Sequence, residues 1–193
     1  MRLNPKLPLL AVLMTLALSV TGCMSFNAQT LDLHPEVQVN RQLSKEKRID
    51  VQPLDLRNSP VIGLRSTSKQ PHPEIRLKDS LKLLKHTTEH ALEDMGIRRF
   101  YGGEFTMKVS LLDLSYTAKK AALKQTVDLA MLLRIEVSKG DKSYTGTYRS
   151  DKQHTFVGIP SEKENEEIIG KLVSETLSLG MNDNQLIDFL QFN

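Results

Sequence analysis

The sequence predicts an α+β fold: a mainly antiparallel sheet with two main helices packed on one face and a short C-terminal helix. Three observations lead there. Val127, Leu129, Met131, Leu133, Ile135 and Val137 hold an apolar period of two without a fault, with Asp128, Arg134 and Glu136 between them. That is the pattern of a strand with one buried face. Residues 78–95 and 162–177 instead repeat apolar side chains at helical spacing. Each element is apolar on one side only, and helices laid on one face of a sheet cover all those sides at once.

At the N-terminus, Arg2 and Lys6 precede the apolar run Leu7 to Leu18 (LPLLAVLMTLAL). These are the positive n-region and apolar h-region of a secretory leader. Val20, Thr21 and Gly22 then stand before Cys23, the single cysteine of the chain. Dense apolarity stops at Leu18, whereas a membrane-spanning helix needs roughly 20 predominantly apolar residues, so a cleaved leader is favoured over a retained span. Residues 1–22 are expected to be removed, 23–47 to form a modified N-terminus and tether, and 48–193 to fold as one domain. Within the tether, Leu31, Leu33, Val37 and Val39 alternate around Pro35, which also suits a loosely paired edge strand.

Ile49 to Arg57 alternates, but the apolar parity shifts across Pro53, which predicts an edge position or a bulge because proline has no N–H to donate. Asn58-Ser59-Pro60 marks a turn, Val61 to Leu64 extends the pairing, and Ser66 to Pro73 reads as a loop. A helix from about Lys78 to Met95 presents Leu77, Leu81, Leu84, Ala91, Leu92 and Met95 on one face, with Gly96 as a left-handed stop. Tyr101-Gly102-Gly103 reads as a turn. Phe105 to Leu111 alternates and then changes parity towards Leu114 and Tyr116, a strand with a bulge, before a Lys/Ala-rich connection. After the Val127 to Val137 strand, Lys139-Gly140-Asp141-Lys142 makes a short hairpin turn into Tyr144 to Phe156. Ser161 and Glu164 form a capping box ahead of a helix with Ile168, Ile169, Leu172, Val173, Thr176 and Leu177 inward, ending at Gly180. Asn182 or Asp183 caps a last short helix that buries Leu186, Ile187 and Leu190.

Composition narrows the function classes. Apolar residues make up 39% and charged residues 25% of the 193-residue chain, which is ordinary for one globular domain. The formal charge of +3 falls to +1 once Arg2 and Lys6 leave with the leader. Neither a basic face nor interleaved aromatics is present, so nucleic acid is not an expected partner. One cysteine allows no internal disulfide framework and no Cys-rich zinc site.

Val20-Thr21-Gly22-Cys23 resembles the lipobox of bacterial lipoproteins, departing only in Val for Leu at its first position. In such proteins the cysteine thiol takes a diacylglycerol, the leader is cut before it, and the new amine is acylated. The resemblance therefore implies a bilayer contact through Cys23. An Asp after the cysteine tends to retain such proteins at the inner membrane; Met24 stands here, so the outer membrane, facing the periplasm, is expected. Along the whole chain, five features resemble the YajG family of bacterial lipoproteins: the lipobox, Leu56-Arg57 to Ile62-Gly63, the helix ending at Met95-Gly96, the Val127 to Val137 strand followed by Tyr148-Arg149, and Asp188-Phe189-Leu190. Membership implies an envelope lipoprotein without an assigned activity.

Among patterns that could carry chemistry, His86-Thr87-Thr88-Glu89-His90 matches H-x-x-E-H, in which two histidines one turn apart bind zinc and the glutamate activates water. These histidines fall opposite the leucine stripe, where a solvated helix surface is the simpler account. Tyr144, Thr145, Thr147, Tyr148 and Arg149 form a polar aromatic strand face suited to pairing with a partner or contacting glycan, with an ordinary solvated sheet face as the alternative. The sequence thus favours a non-enzymatic, cofactor-free envelope lipoprotein that binds a periplasmic or outer-membrane protein around Tyr144, Tyr148 and Arg149. A zinc hydrolase using His86, Glu89 and His90 is the alternative, and a carrier holding an apolar ligand between sheet and helices is a third reading.

Overall fold

The computed structural model describes residues 27–43, 47–66, 72–97 and 102–193. They form β1 (Gln29–Leu31), β2 (Ile49–Asp55), β3 (Val61–Leu64), β4 (Glu74–Leu77), α1 (Ser80–Asp94), β5 (Phe105–Ala121), β6 (Lys124–Lys139), β7 (Lys142–Val157), α2 (Glu162–Met181) and α3 (Asn184–Phe192). The expected leader, the lipobox and Tyr101 lie outside the described residues.

The fold is α+β with one seven-stranded sheet ordered β1-β4-β3-β5-β6-β7, and β2 beside β5. The long pairings, β5 with β6 and β6 with β7, are antiparallel. The sheet is nonetheless mixed, because β1–β4, β2–β5 and β3–β5 are parallel. The antiparallel expectation has no strand at β4, and the chain leaves β2 through α1 before it reaches β5, a crossover that allows the pair to be parallel. β4 falls at the end of the expected loop and takes Leu77 from the expected helix, which starts at Ser80 instead.

On β6 every odd position from Val127 to Val137 is buried, as its alternation requires. β5 carries a register shift between Leu111 and Asp113, so burial passes from Leu111 to Leu114 and Tyr116. The shift falls where β2 ends opposite Leu111, beyond which β3 meets β5 at Gly63 and Tyr116. The bulge thus lets one strand edge serve two partners in succession. β2 pairs in unbroken register with β5 alone, so Pro53 sits on an edge strand, where one row of N–H groups lacks a partner in any case.

α1 packs against β2 and β5, and α2 against β6 and β7. α1 buries Leu84, Thr87, Thr88, Ala91 and Leu92, but Leu81 is half exposed because the first turn opens onto a surface cleft. Gly96 takes a positive φ of 97° after α1. α2 has both arms of the capping box: the Ser161 N–H donates to the Glu164 carboxylate at 2.7 Å, and the Glu164 N–H donates to Ser161 Oγ at 3.2 Å. α2 continues through Gly180 to Met181. Gly180 serves proximity, not termination, since a Cβ there would press on the Ile135 side chain and the Tyr148 ring.

The segment expected as a tether or a loosely paired edge strand is mostly fixed, and its start is an edge strand. Gln29–Leu31 pairs with β4, and Leu31, Leu33 and Leu43 are buried. The Gln38 N–H donates to Ser178 Oγ at 3.0 Å, the Asn40 N–H to Asn182 Oδ1 at 2.8 Å and the Leu43 N–H to the Met95 carbonyl at 2.7 Å. Deep in the core, the Tyr116 hydroxyl donates to Asn165 Oδ1 at 3.1 Å, and Asn165 Nδ2 donates to Gln29 Oε1 at 2.9 Å. Burial pushes the Tyr116 phenol up to about 12 despite nearby Arg65 and Gln125, so it stays a neutral donor. Gln29 Nε2 completes the chain by donating to the Glu162 carbonyl at 2.8 Å.

α3 is held by one carboxylate. Asp183 caps it, accepting from the Gln185 N–H at 2.8 Å, and also accepts from Tyr144 at 2.7 Å and Tyr148 at 2.9 Å. Burial opposes ionisation of Asp183, but the Tyr144, Gln185, Tyr148 and Leu186 donors outweigh it and hold the acid below its usual range. The same burial pushes both phenols up.

Two expected outcomes follow from this packing. Because a Cβ at Gly63 would collide with the Tyr116 carbonyl, Gly63→Ala should force β3 off β5 and cost about 1–3 kcal/mol or more in urea unfolding. A depressed folded pKa stabilises above the unfolded carboxyl value of about 4, and that contribution is lost as pH falls through the folded value. Asp183→Asn should therefore lower stability by about 1–2 kcal/mol at pH 7 through the weakened cap and phenol bonds. The gap from the parent should narrow in melts recorded below about pH 4.

Candidate functional site

Strand alternation decides which side chains of β7 are available. Thr145, Thr147, Arg149 and Asp151 are exposed on the sheet face away from the helices. Opposite them on β6 stand Glu136 across from Thr145 and Arg134 across from Thr147. Arg149 grips Asp151 through two bonds of 2.7 and 2.6 Å, which hold the Asp151 acid below and the Arg149 guanidinium above their ordinary values. On the same face Lys108 lies 3.6 Å from Glu136, and Asp128 accepts from Lys119 at 2.7 Å and Gln153 at 2.6 Å. The surface is therefore a polar lattice of both signs, suited to hydrogen-bonded recognition. β7 is also the last strand of the sheet, so its outer row of backbone groups has no strand partner among the described residues.

The residues expected to act together at this site do not share a face. Tyr144 and Tyr148 pair with Val137 and Leu133, point to the helix side, and are committed to Asp183. Arg149 has the opposite parity and joins Thr145 and Thr147. The sequence shows all of them as one polar stretch; strand parity turns the phenols to the helix side, where Asp183 from a distant segment accepts from both.

His86 and His90 are exposed on α1 and line a groove of about 770 Å³ against residues 32–38. His90 Nδ1 lies 3.3 Å from Asp94, while Glu89 lies 3.8 Å from Lys85 and does not line the groove. The two histidines and the glutamate therefore do not converge, and among the described residues no three His, Cys, Asp or Glu side chains gather as a metal site. Cys23, Val20, Thr21 and Gly22 lie outside the described residues.

Sequence reasoning missed a cleft of about 570 Å³ at the foot of α1. There Asp55 accepts from Arg57 Nε at 2.9 Å and Nη2 at 2.7 Å, and from Ser80 Oγ at 2.5 Å. Burial works against the Asp55 charge, but Arg57 and Ser80 prevail and its acid lies below the usual range. The Arg57 side chain is only 5% exposed and its Nη1 has no hydrogen-bond partner among the described residues. The only sequence signal is an Asp and an Arg two residues apart at the end of an edge strand, and nothing there predicts Ser80.

With this geometry in place, the relatives can be compared. The model of a family described as uncharacterized lipoprotein, Lipoprotein_16, matches residues 35–191. No curated protein sequence matches the chain. Among solved structures, protein XCC0632 from Xanthomonas campestris, assigned to the DUF330 family model, aligns over 84% of this chain and 97% of its own, with a TM-score of 0.54 and 9% identity. A Helicobacter pylori homolog of neuraminyllactose-binding hemagglutinin aligns over 84% of this chain and 100% of its own, with a TM-score of 0.41 and 13% identity. At such identities the likeness to XCC0632 concerns the fold alone. No helix among the described residues is long and apolar enough to cross a membrane. Since the family model spans most of the domain, the chain belongs to this family of uncharacterized lipoproteins.

Proposed function

We propose that this protein is a non-enzymatic envelope lipoprotein, acylated on Cys23 and held at the periplasmic side of the outer membrane, whose domain binds another envelope protein. Support for the anchor comes from the lipobox-like Val20 to Cys23 and from the family match. Two or more acyl chains make attachment stable, because each buried methylene contributes about 0.8 kcal/mol.

One observation carries the partner reading. β7 is sixteen residues long, ends the sheet, and exposes Thr145, Thr147 and Arg149 beside a free backbone edge. A strand of that length offers a docking segment both main-chain pairing and alternate side-chain contacts, the means by which sheet edges recognise extended segments. Its exposed charges, among them Lys142, Arg149 and Lys152, discourage indiscriminate edge pairing and leave selectivity to a complementary partner. The family match carries no enzymatic assignment, and no specific observation favours zinc hydrolysis over this reading.

Two measurements test the proposal. Intact mass of the native product should show loss of residues 1–22 and gain of the diacylglyceryl and acyl groups, and Cys23→Ser should abolish both; an unmodified Cys23 would overturn the anchor. Photocrosslinkers placed at Thr147 and Arg149 in living cells should trap a discrete adduct that a crosslinker at Lys171, on the exposed side of α2, does not. Equal labelling at all three positions, or none at Thr147 and Arg149, would remove β7 as the binding surface.

A further inference from the structure

The turn between β5 and β6 ends in an apolar tip. Leu123 is 83% exposed and Val157 is 90% exposed. They are neighbours, since Lys124 pairs with Val157 and the Gly158 N–H donates to the Leu123 carbonyl at 3.0 Å. Ala121 and Ala122 are exposed beside them. Lys120 and Lys124, also exposed, flank the turn and have no carboxylate partner among the described residues. The nearby acids are occupied: Glu162 pairs with Arg65 at 3.1 Å, and Glu164 serves the capping box. At the opposite end of β6, the turn into β7 through Gly140 and Asp141 is polar, with Lys139 and Lys142 bonded to Glu104 and Asn193.

The path of the chain N-terminal to Gln29 says which end faces the anchor. β1 is parallel to β4, β4 antiparallel to β3, β3 parallel to β5, and β5 antiparallel to β6. β1 therefore runs with β6, away from the tip, and the residues before Gln29 lead towards it. The register gives the height: Gln29 pairs with Ile75, Ile75 with Gly63, Gly63 with Tyr116, and Tyr116 with Leu129. From Leu129 down to Leu123 is six residues, and from Gln29 back to Cys23 is also six. A strand rises about 3.3 Å per residue and an extended chain reaches at most about 3.6 Å per residue. Each span is thus about 20 Å, so Cys23 can reach the plane of the tip and little beyond it.

We infer that the Leu123–Val157 tip is a second membrane contact, inserted among the headgroups of an anionic lipid surface beside the acylated Cys23. The inference rests on the anchor proposed above. Leu123 and Val157 enter the apolar boundary, while Lys120 and Lys124 lie along it and place their ammonium groups among lipid phosphates. The domain then stands upright, with the Gly140–Asp141 turn and the α3 end directed away from the bilayer.

The test uses the acylated full chain in vesicles of phosphatidylethanolamine and phosphatidylglycerol. Because acylation consumes the Cys23 thiol, Leu123→Cys or Asp141→Cys supplies a unique site for an environment-sensitive fluorophore; Val157→Cys is the second tip position should the first fold poorly. At Leu123 or Val157 the emission should shift to the blue and be lost with brominated lipids, whereas at Asp141 it should stay as in water. Acylated protein with tip and Asp141 probes equally wet, or equally quenched, would overturn the upright tip contact and leave the anchor standing. A product whose mass shows no acyl chains would overturn the anchor and this contact with it.

Discussion

Val127, Leu129, Met131, Leu133, Ile135 and Val137 all leave β6 on one side, and that side cannot be left in water. Each such side chain contributes about 1.5–3 kcal/mol when buried, so the face represents a large part of the driving force for folding. β5 and β7 extend this apolar wall by pairing along both edges of β6, and α1, α2 and α3 are the cover it requires. The rest of the architecture answers that demand. α2 approaches closely enough that a Cβ at position 180 would press on the Ile135 and Tyr148 side chains, and α3 is drawn to the wall by the shared Asp183 cap.

Closure at the opposite flank is polar as well as apolar. Tyr116, Asn165 and Gln29 bring a strand, a helix and the N-terminal segment into one hydrogen-bonded line inside the core. A buried amide without partners would cost more than the bonds it makes return, so each member of this line depends on the other two. Through it the first residues of the described chain are fixed to the domain. An anchor at Cys23 would therefore hold the domain on a short leash, at a defined height and with a defined end towards the lipid. This differs from a domain drifting on a long coil, and it gives the exposed apolar turn and the open sheet face distinct surroundings.

That division suits a protein that recognises another. The polar lattice around Thr147 and Arg149 and the outer edge of β7 lie along the side of the molecule, and neither is consumed by the core. The Asp55–Arg57–Ser80 cluster, by contrast, places a strong ion pair where β2 ends and α1 begins. It orders the foot of the helix.

The sequence by itself determined the strongly periodic elements: the faultless β6, the bulged β5, the turn at Gly140, the capping box of α2 and the three residues that seal α3. In each, a local pattern and the final environment agree, since the repeat of apolar side chains is itself the instruction for burial. The lipobox-like Val20 to Cys23, on which the proposed anchor rests, is likewise a linear pattern that needs no fold to be read. Only the tertiary structure decided the short strand β4, whose four residues carry too little periodicity to register until a neighbouring edge is present, and chose the edge-strand reading for β1. The same holds for the parallel joins at β2 and β3 and for the inward turn of Tyr144 and Tyr148 towards Asp183. Gly63 and Gly180 belong there too, because what a glycine makes room for is a neighbour brought from far along the chain.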